Sequence, residues 1–310
     1  MTDRPRDFVG YGERPPLVRW PHGARLALNI AINYEEGSEL CPLEGDRERE
    51  LLTEVVFPAS REERELASES IFEYGSRVGV WRIMRILDKY DAACSVFACG
   101  QALERNPEVA RAFVERGYDM VGHGYRSLPH FGMSEAEERE HIRKGKAAIE
   151  RVTGQRVIGW FTRLMATTAT RRILAEEGLL YDSCAFNDDL PYFDQVDGKP
   201  FLVVPYALDV NDVRFVRNQM FKASDFFEYA RDTFDVLYEE AATTAKMMSV
   251  GLHGRTIGRP GRARALDQYL AHVRKFSDVW IANRNDIAMF WLENHGEAPR
   301  PRLEERSEPR

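Results

Sequence analysis

From residue 80 to 295, short apolar runs alternate with segments whose apolar residues recur every three or four positions, and this alternation restricts the fold to strand-helix-strand units. The apolar residues of VWRIMRILDKY lie at helical spacing, and ACSVFACG follows as a short strand. Asn106-Pro107 opens the helix PEVARAFVERG, which Gly117 closes. Ser134 with Glu137 predicts a capping box for a helix running to about Val152, with Gly154 ending it. YDMVGHG, VIGWF, LLYDS, FLVVPYAL, MMSVGLHG and VWIAN are the further strands, separated by helices such as TRRILAEEG, ALDQYLAHVRKF and IAMFWLEN. AFNDDLPYFDQVDGKP reads as a loop. The first strand is RLALNIAINYEEG at 25–37, apolar enough to be buried on both faces. Seven or eight strands alternating with helices imply parallel pairing through right-handed crossovers, and the count suits a closed or distorted α/β barrel, (β/α)7–8, in a single domain. A doubly wound sheet is the alternative, but no GxGxxG follows the first strand, so nothing points to a dinucleotide.

The rest of the chain departs from this rhythm. Residues 1–24 carry Arg14-Pro15-Pro16 and Trp20-Pro21, which exclude helix and central strand and predict an arm that wraps the body or a neighbouring subunit. The body is expected over 25–295. Within it, 39–77 is a charged excursion in which DRERELL and SREERELASES read as exposed helices, so that the stretch serves as a lid or a subunit interface. The tail at 296–310, rich in Pro, Arg and Glu, is expected to be mobile. A net charge of −7 argues against nucleic-acid or anionic-membrane partners. No apolar run is long enough to cross a bilayer and MTDRPRDF lacks the apolar stretch of a secretory signal, so a cytoplasmic protein is expected. Cys41, Cys94, Cys99 and Cys184 form no CxxC pair and read as free thiols.

Four strand ends supply polar groups: Glu35 and Glu36, then His123, Arg163 and His253. In a parallel barrel all of these face the same rim. His123 and His253 each close an apolar run and precede a glycine, which lets backbone approach a ligand, whereas His22, His141, His272 and His295 read as structural. His253 also opens LHGRTIGRPGR, a rigid rim whose guanidinium groups suit a carboxylate or amide oxygen. Two adjacent carboxylates repel, so at least one of Glu35 and Glu36 is expected to have its proton affinity raised, which suggests a base and a charge partner.

These segments resemble the polysaccharide deacetylase superfamily with its NodB-type barrel (carbohydrate esterase family 4), in the branch typified by cofactor-independent allantoinase. The matching stretches are NYEEG at 33–37, SESIFEYGSRVGVWR at 68–82, HGYR at 123–126, GW at 159–160, YDSCAFNDDLPYF at 181–193 and LHGRTIGRPGR at 252–262. The resemblance implies Glu35 as catalytic base, Glu36 and His123 as metal ligands, Arg163 as an orienting arginine and Asp189 as its acidic partner. Where the family has a second histidine four residues on, this chain has Ser127, so a zinc site would be incomplete unless His130 replaced the missing ligand. FTRLMATTATRR departs from the Gly-Arg pair expected of allantoinase. The implied reaction is hydrolysis of a non-peptide carbon-nitrogen bond in a small cyclic amide or imide, by base-activated water and without a cofactor. Glu35, its proton affinity raised by Glu36 and partial desolvation, and His253 would act as base and acid, Arg163 and Asp189 would orient, and Arg126, Arg255, Tyr125 and Trp160 would bind substrate. The alternatives are a deacetylase of N-acetylated sugars using zinc or another divalent metal, and a barrel that binds a small molecule without turning it over. The arm, the excursion and the resemblance together favour a homo-oligomer.

Overall fold

A computed structural model of the chain describes residues 6–55, 60–163 and 166–295. Strand β1, Leu26–Tyr34, is buried along its whole length. Leu26, Leu28, Ile30, Ile32 and Tyr34 face one way, into the larger apolar core beneath the helices. Ala27 and Ala31 face the other, into a second core with Phe97, Val121, Phe161, Tyr181 and Tyr206. The period of two in the strand thus divides the molecule into an outer helical layer and a barrel interior.

The further strands are β2 (Ser95–Ala98), β3 (Asp119–Gly122), β4 (Gly159–Trp160), β5 (Tyr181–Asp182), β6 (Tyr192–Val196), β7 (Lys199–Val203), β8 (Lys246–His253) and β9 (Val279–Ile281). Their order across the sheet is β6-β7-β5-β4-β3-β2-β1-β8, with β9 beside the first half of β1. All pairs are parallel except the β6-β7 hairpin. The register aligns Tyr34 with Ala98, Ala98 with Gly122, Gly122 with Trp160 and Asn33 with His253, which brings these strand ends to one rim.

The expected α/β barrel is therefore present in distorted form. Strands β7 and β8 do not pair, and the seam between them is crossed by a single bridge from Asn211 to Gly251 and by the Met247 N–H donating to the Asp189 carbonyl. Arg284, wholly buried, spans the same opening. It donates to Ser183 Oγ, Asn29 Oδ1, Ser249 Oγ and the carbonyls of Val204 and Pro205, tying β1 and β8 to the segments that follow β5 and β7.

Two local expectations are corrected. The stretch read as a loop at 185–200 contains β6, joined to β7 by Asp197 and Gly198, both at positive φ (49° and 75°). That Asp-Gly pair between two strands is the signal of a tight hairpin turn. DRERELL does not form an exposed helix: Arg49 and Glu50 are buried, because their segment turns inward to meet cationic side chains on the rim. Of SREERELASES only the end is helical, in Leu66–Tyr74. That helix continues through a π-helical turn, Gly75–Gly79, into Val80–Lys89.

The capping box at Ser134 and the cap at Asn106 with Pro107 at the first helical position are as expected. Trp20 of the arm packs against Trp280, Phe290 and Trp291 and donates to the Lys246 carbonyl at 3.0 Å. All four cysteines are free. Among the described residues no helix is long and apolar enough to cross a membrane. Residues 296–310 lie outside the described part of the chain.

Candidate active site

Glu35 stands where β1 delivers its chain to the rim, and four side chains converge on it. Its Oε1 accepts from Ser127 Oγ at 2.9 Å and faces His123 Nε2 at 3.2 Å. Its Oε2 accepts from Arg255 Nη2 at 2.6 Å and lies 3.6 Å from His253 Nε2. His123 Nδ1 is bonded to the Phe161 carbonyl, which can only accept, so that nitrogen carries the proton of the neutral ring. Nε2 is then the ring nitrogen that faces Glu35.

His253 is held by Asp212. Its Nδ1 lies 2.5 Å from Asp212 Oδ1, and the second oxygen of Asp212 accepts from the backbone N–H groups of His253 and Ile257 at 2.8 and 2.9 Å. A carboxylate so engaged fixes the ring, and leaves Nε2 as the nitrogen free to take or give a proton. Asp212 was not among the expected residues. No local signal in the sequence marks it, because it lies in an irregular segment beyond FLVVPYAL.

Arg255 lies between the two glutamates, with Nη1 3.6 Å from Glu36 Oε1 and its own N–H donating to that oxygen at 3.1 Å. The expected titration of the pair is overturned. Burial pushes Glu35 up, but the Arg255 guanidinium and the His123 hydrogen bond outweigh it and hold the Glu35 carboxyl well below the usual range. Glu36 is the member raised, by burial that Arg255 only partly offsets.

Arg163 reaches the same rim, donating to the Ser127 carbonyl at 2.8 Å and pairing with Glu50 at 2.8 Å. Glu50 belongs to 38–55, a segment that also bonds the rim through the Ser38 carbonyl, which accepts from Ser127 N–H at 3.0 Å. Arg126 points into that segment, pairing with Asp46 at 2.5 and 2.8 Å and donating to the Glu39 carbonyl. It does not reach Glu35.

Other expected members lie elsewhere. Asp189 is half exposed and pairs with Lys246, not with Arg163, because it sits at the start of β8, on the opposite rim. His130 faces Glu138 at 2.9 Å, and Thr167 holds the other oxygen of that carboxylate. Tyr125 donates to Glu104 and stacks beneath Lys144. Trp160 is buried beneath the rim, donating to Thr162.

The π-helical turn explains how the chain brings Arg255 so close. A Cβ on Gly75 would overlap the Glu36 carboxylate, and one on Gly79 would overlap the carbonyl of Gly254. Gly79 has ordinary helical dihedrals, so alanine there gains roughly 1 kcal/mol of helix propensity. Gly79→Ala is nevertheless expected to lower stability by about 1–3 kcal/mol, because backbone must move to admit the methyl group. Denaturant titration checks this, and an unchanged or higher midpoint would contradict it.

Residues 63–177 match the polysaccharide deacetylase family model. A Schizosaccharomyces pombe protein provisionally named a polysaccharide deacetylase is 38% identical over 314 residues, spanning 94% of this chain and 98% of its own. Among solved structures, the PuuE allantoinase is 44% identical with a TM-score of 0.91, the match covering 96% of this chain and 100% of that one. A Pseudomonas aeruginosa protein provisionally described as a polysaccharide deacetylase is 46% identical with a TM-score of 0.90, over 94% and 99% of the two chains. Fold and relatives together define a hydrolase of carbon-nitrogen bonds on a NodB-type barrel. The chain belongs to the polysaccharide deacetylase family and matches its allantoinase-like branch.

Deacetylases of this family typically use a divalent metal, and the residues here do not fit one. Catalytic zinc takes three protein ligands within about 2.2 Å. Both oxygens of Glu35 are engaged by Ser127, His123 and Arg255, and a guanidinium 2.6 Å away repels any cation that would replace it. Among the described residues, no group of three His, Cys, Asp or Glu side chains is placed to hold a metal ion.

Proposed function

We propose that this protein hydrolyses the amide bond of a small cyclic amide or imide without a metal ion. The observation that carries the reading is the facing of Glu35 Oε2 and His253 Nε2 at 3.6 Å, the first fixed by Arg255 and the second by Asp212. One water can be held by both. As it attacks the carbonyl carbon, Glu35 takes its proton, and His253 Nε2 delivers a proton to the nitrogen as the carbon-nitrogen bond breaks. Charge on the carbonyl oxygen is met by Arg255 and Arg163, each donor contributing about 3 kcal/mol in such settings.

Two observations support a small substrate. Glu35, Glu36, His123, His253 and Arg255 are all at most 5% exposed, and residues 38–55 lie across them as a cover. A polysaccharide needs an open groove. The 44% identity to the PuuE allantoinase supports a cyclic ureide or a related ring, while FTRLMATTATRR, where a Gly-Arg pair is expected, argues for a ring other than allantoin.

The test is one panel of hydantoins, allantoin, cyclic imides and N-acetylglucosamine oligomers, assayed with chelator and with added zinc. Ring opening that survives the chelator is the expected result. Turnover confined to the acetylated sugars in the presence of zinc would establish the rival deacetylase. Ligand-induced stabilisation with no product across the panel would establish a binding protein.

A further inference from the structure

We propose that the guanidinium of Arg255 is the resident cation of this site, doing inside the protein what a bound divalent ion does elsewhere and keeping such an ion out. A buried carboxylate demands a positive partner, and Glu35 is 4% exposed. Arg255 supplies it at 2.6 Å and reaches toward Glu36 at 3.6 Å, so one fixed charge serves two glutamates. The oxygen of Glu35 that Arg255 does not hold is taken by Ser127 and His123.

The chain is built to place this cation. Phe72 lies under the guanidinium, 4.4 Å from ring centroid to Cζ, a stacking suited to arginine and not to a compact ammonium. Gly75 of the π-helical turn and Gly254 leave no Cβ between the helix and the loop that carries Arg255. Nε and Nη1 of Arg255 are buried and donate no hydrogen bond. Unspent buried donors are costly in a folded protein, so their retention beside Glu35 marks them for an oxygen of the substrate. In this last respect the inference rests on the hydrolase reading; the exclusion of metal does not.

Cobalt and zinc titrations, followed by the visible spectrum of the bound cobalt and by elemental analysis after dialysis, test the proposal without any substrate. Wild type and Arg255→Lys, which keep the charge, are expected to show no stoichiometric site. Arg255→Met keeps the bulk and removes the charge, and its apparent affinity for cobalt is expected to rise at least about tenfold over the weak background binding of wild type. One saturable equivalent in the wild type, or an Arg255→Met protein no tighter than Arg255→Lys, would overturn it. Circular dichroism establishes that the variants fold. Should Arg255→Met not fold, Arg255→Gln, which also removes the charge, takes its place with the same expected result and the same overturning one. A substrate panel that yields no product would remove the hydrolase reading and leave this result standing.

Discussion

Replacing Glu35 with Gln is expected to lower turnover by about 10²-fold or more, the scale of a positioned general base. The substitution keeps the shape of the side chain and its acceptor toward Arg255 Nη2, so the loss reads proton transfer and not packing. A residual rate within about tenfold of wild type would remove Glu35 from the mechanism. The pH dependence of stability supplies an independent check. Because the folded-state pKa of Glu35 is depressed, its ionised form stabilises the fold; that contribution is complete above the ordinary value of 4.5 and is lost as the pH falls through the depressed one. The difference in melting temperature between wild type and Glu35→Gln is therefore expected to be flat above about pH 5 and to change only below it. A change centred near neutrality would mean that Arg255 does not hold Glu35 ionised.

Arg284→Ala is expected to cost about 4 kcal/mol or more, beyond the range of most single substitutions. The side chain is wholly buried, and its removal strands the Val204 and Pro205 carbonyls along with Asn29, Ser183 and Ser249 inside the barrel. Each buried acceptor left without a donor costs about 1–3 kcal/mol. A whole domain is stable by only about 5–15 kcal/mol, so the loss removes a large share of that margin and is expected to lower the melting temperature by several degrees or more. Thermal and denaturant unfolding measure this. A midpoint within a degree or two of wild type would show that water takes the place of the guanidinium.

The architecture was legible because its signal is local: the apolar runs from β1 to β9 and the caps at Asn106 and Ser134 announce themselves within a few residues. The strand β6 is hard to see in sequence because YFDQV is half-exposed and the Asp197-Gly198 turn beside it carries the residues of an ordinary loop. At the site, Glu35, Glu36, His123, Arg163 and His253 could be found because each ends an apolar strand. Asp212 and Glu50 could not, since both reach the rim from irregular segments whose course is set by tertiary contacts. The titration of the glutamates is hidden from sequence for the same reason. Arg255 lies 220 positions from Glu35 in the chain, and only the fold reveals that its charge, rather than the neighbouring Glu36, dominates Glu35.

The ion pairs of Arg163 with Glu50 and of Arg126 with Asp46 carry a kinetic consequence. Glu35 and His253 are buried beneath those contacts, so the reading of 38–55 as a cover predicts that substrate entry is a conformational event and not a simple collision. On that reading an inhibitor is expected to engage and leave slowly, and because both pairs are largely buried, added salt is expected to change those rates little, which rapid-mixing binding measurements at low and high salt check.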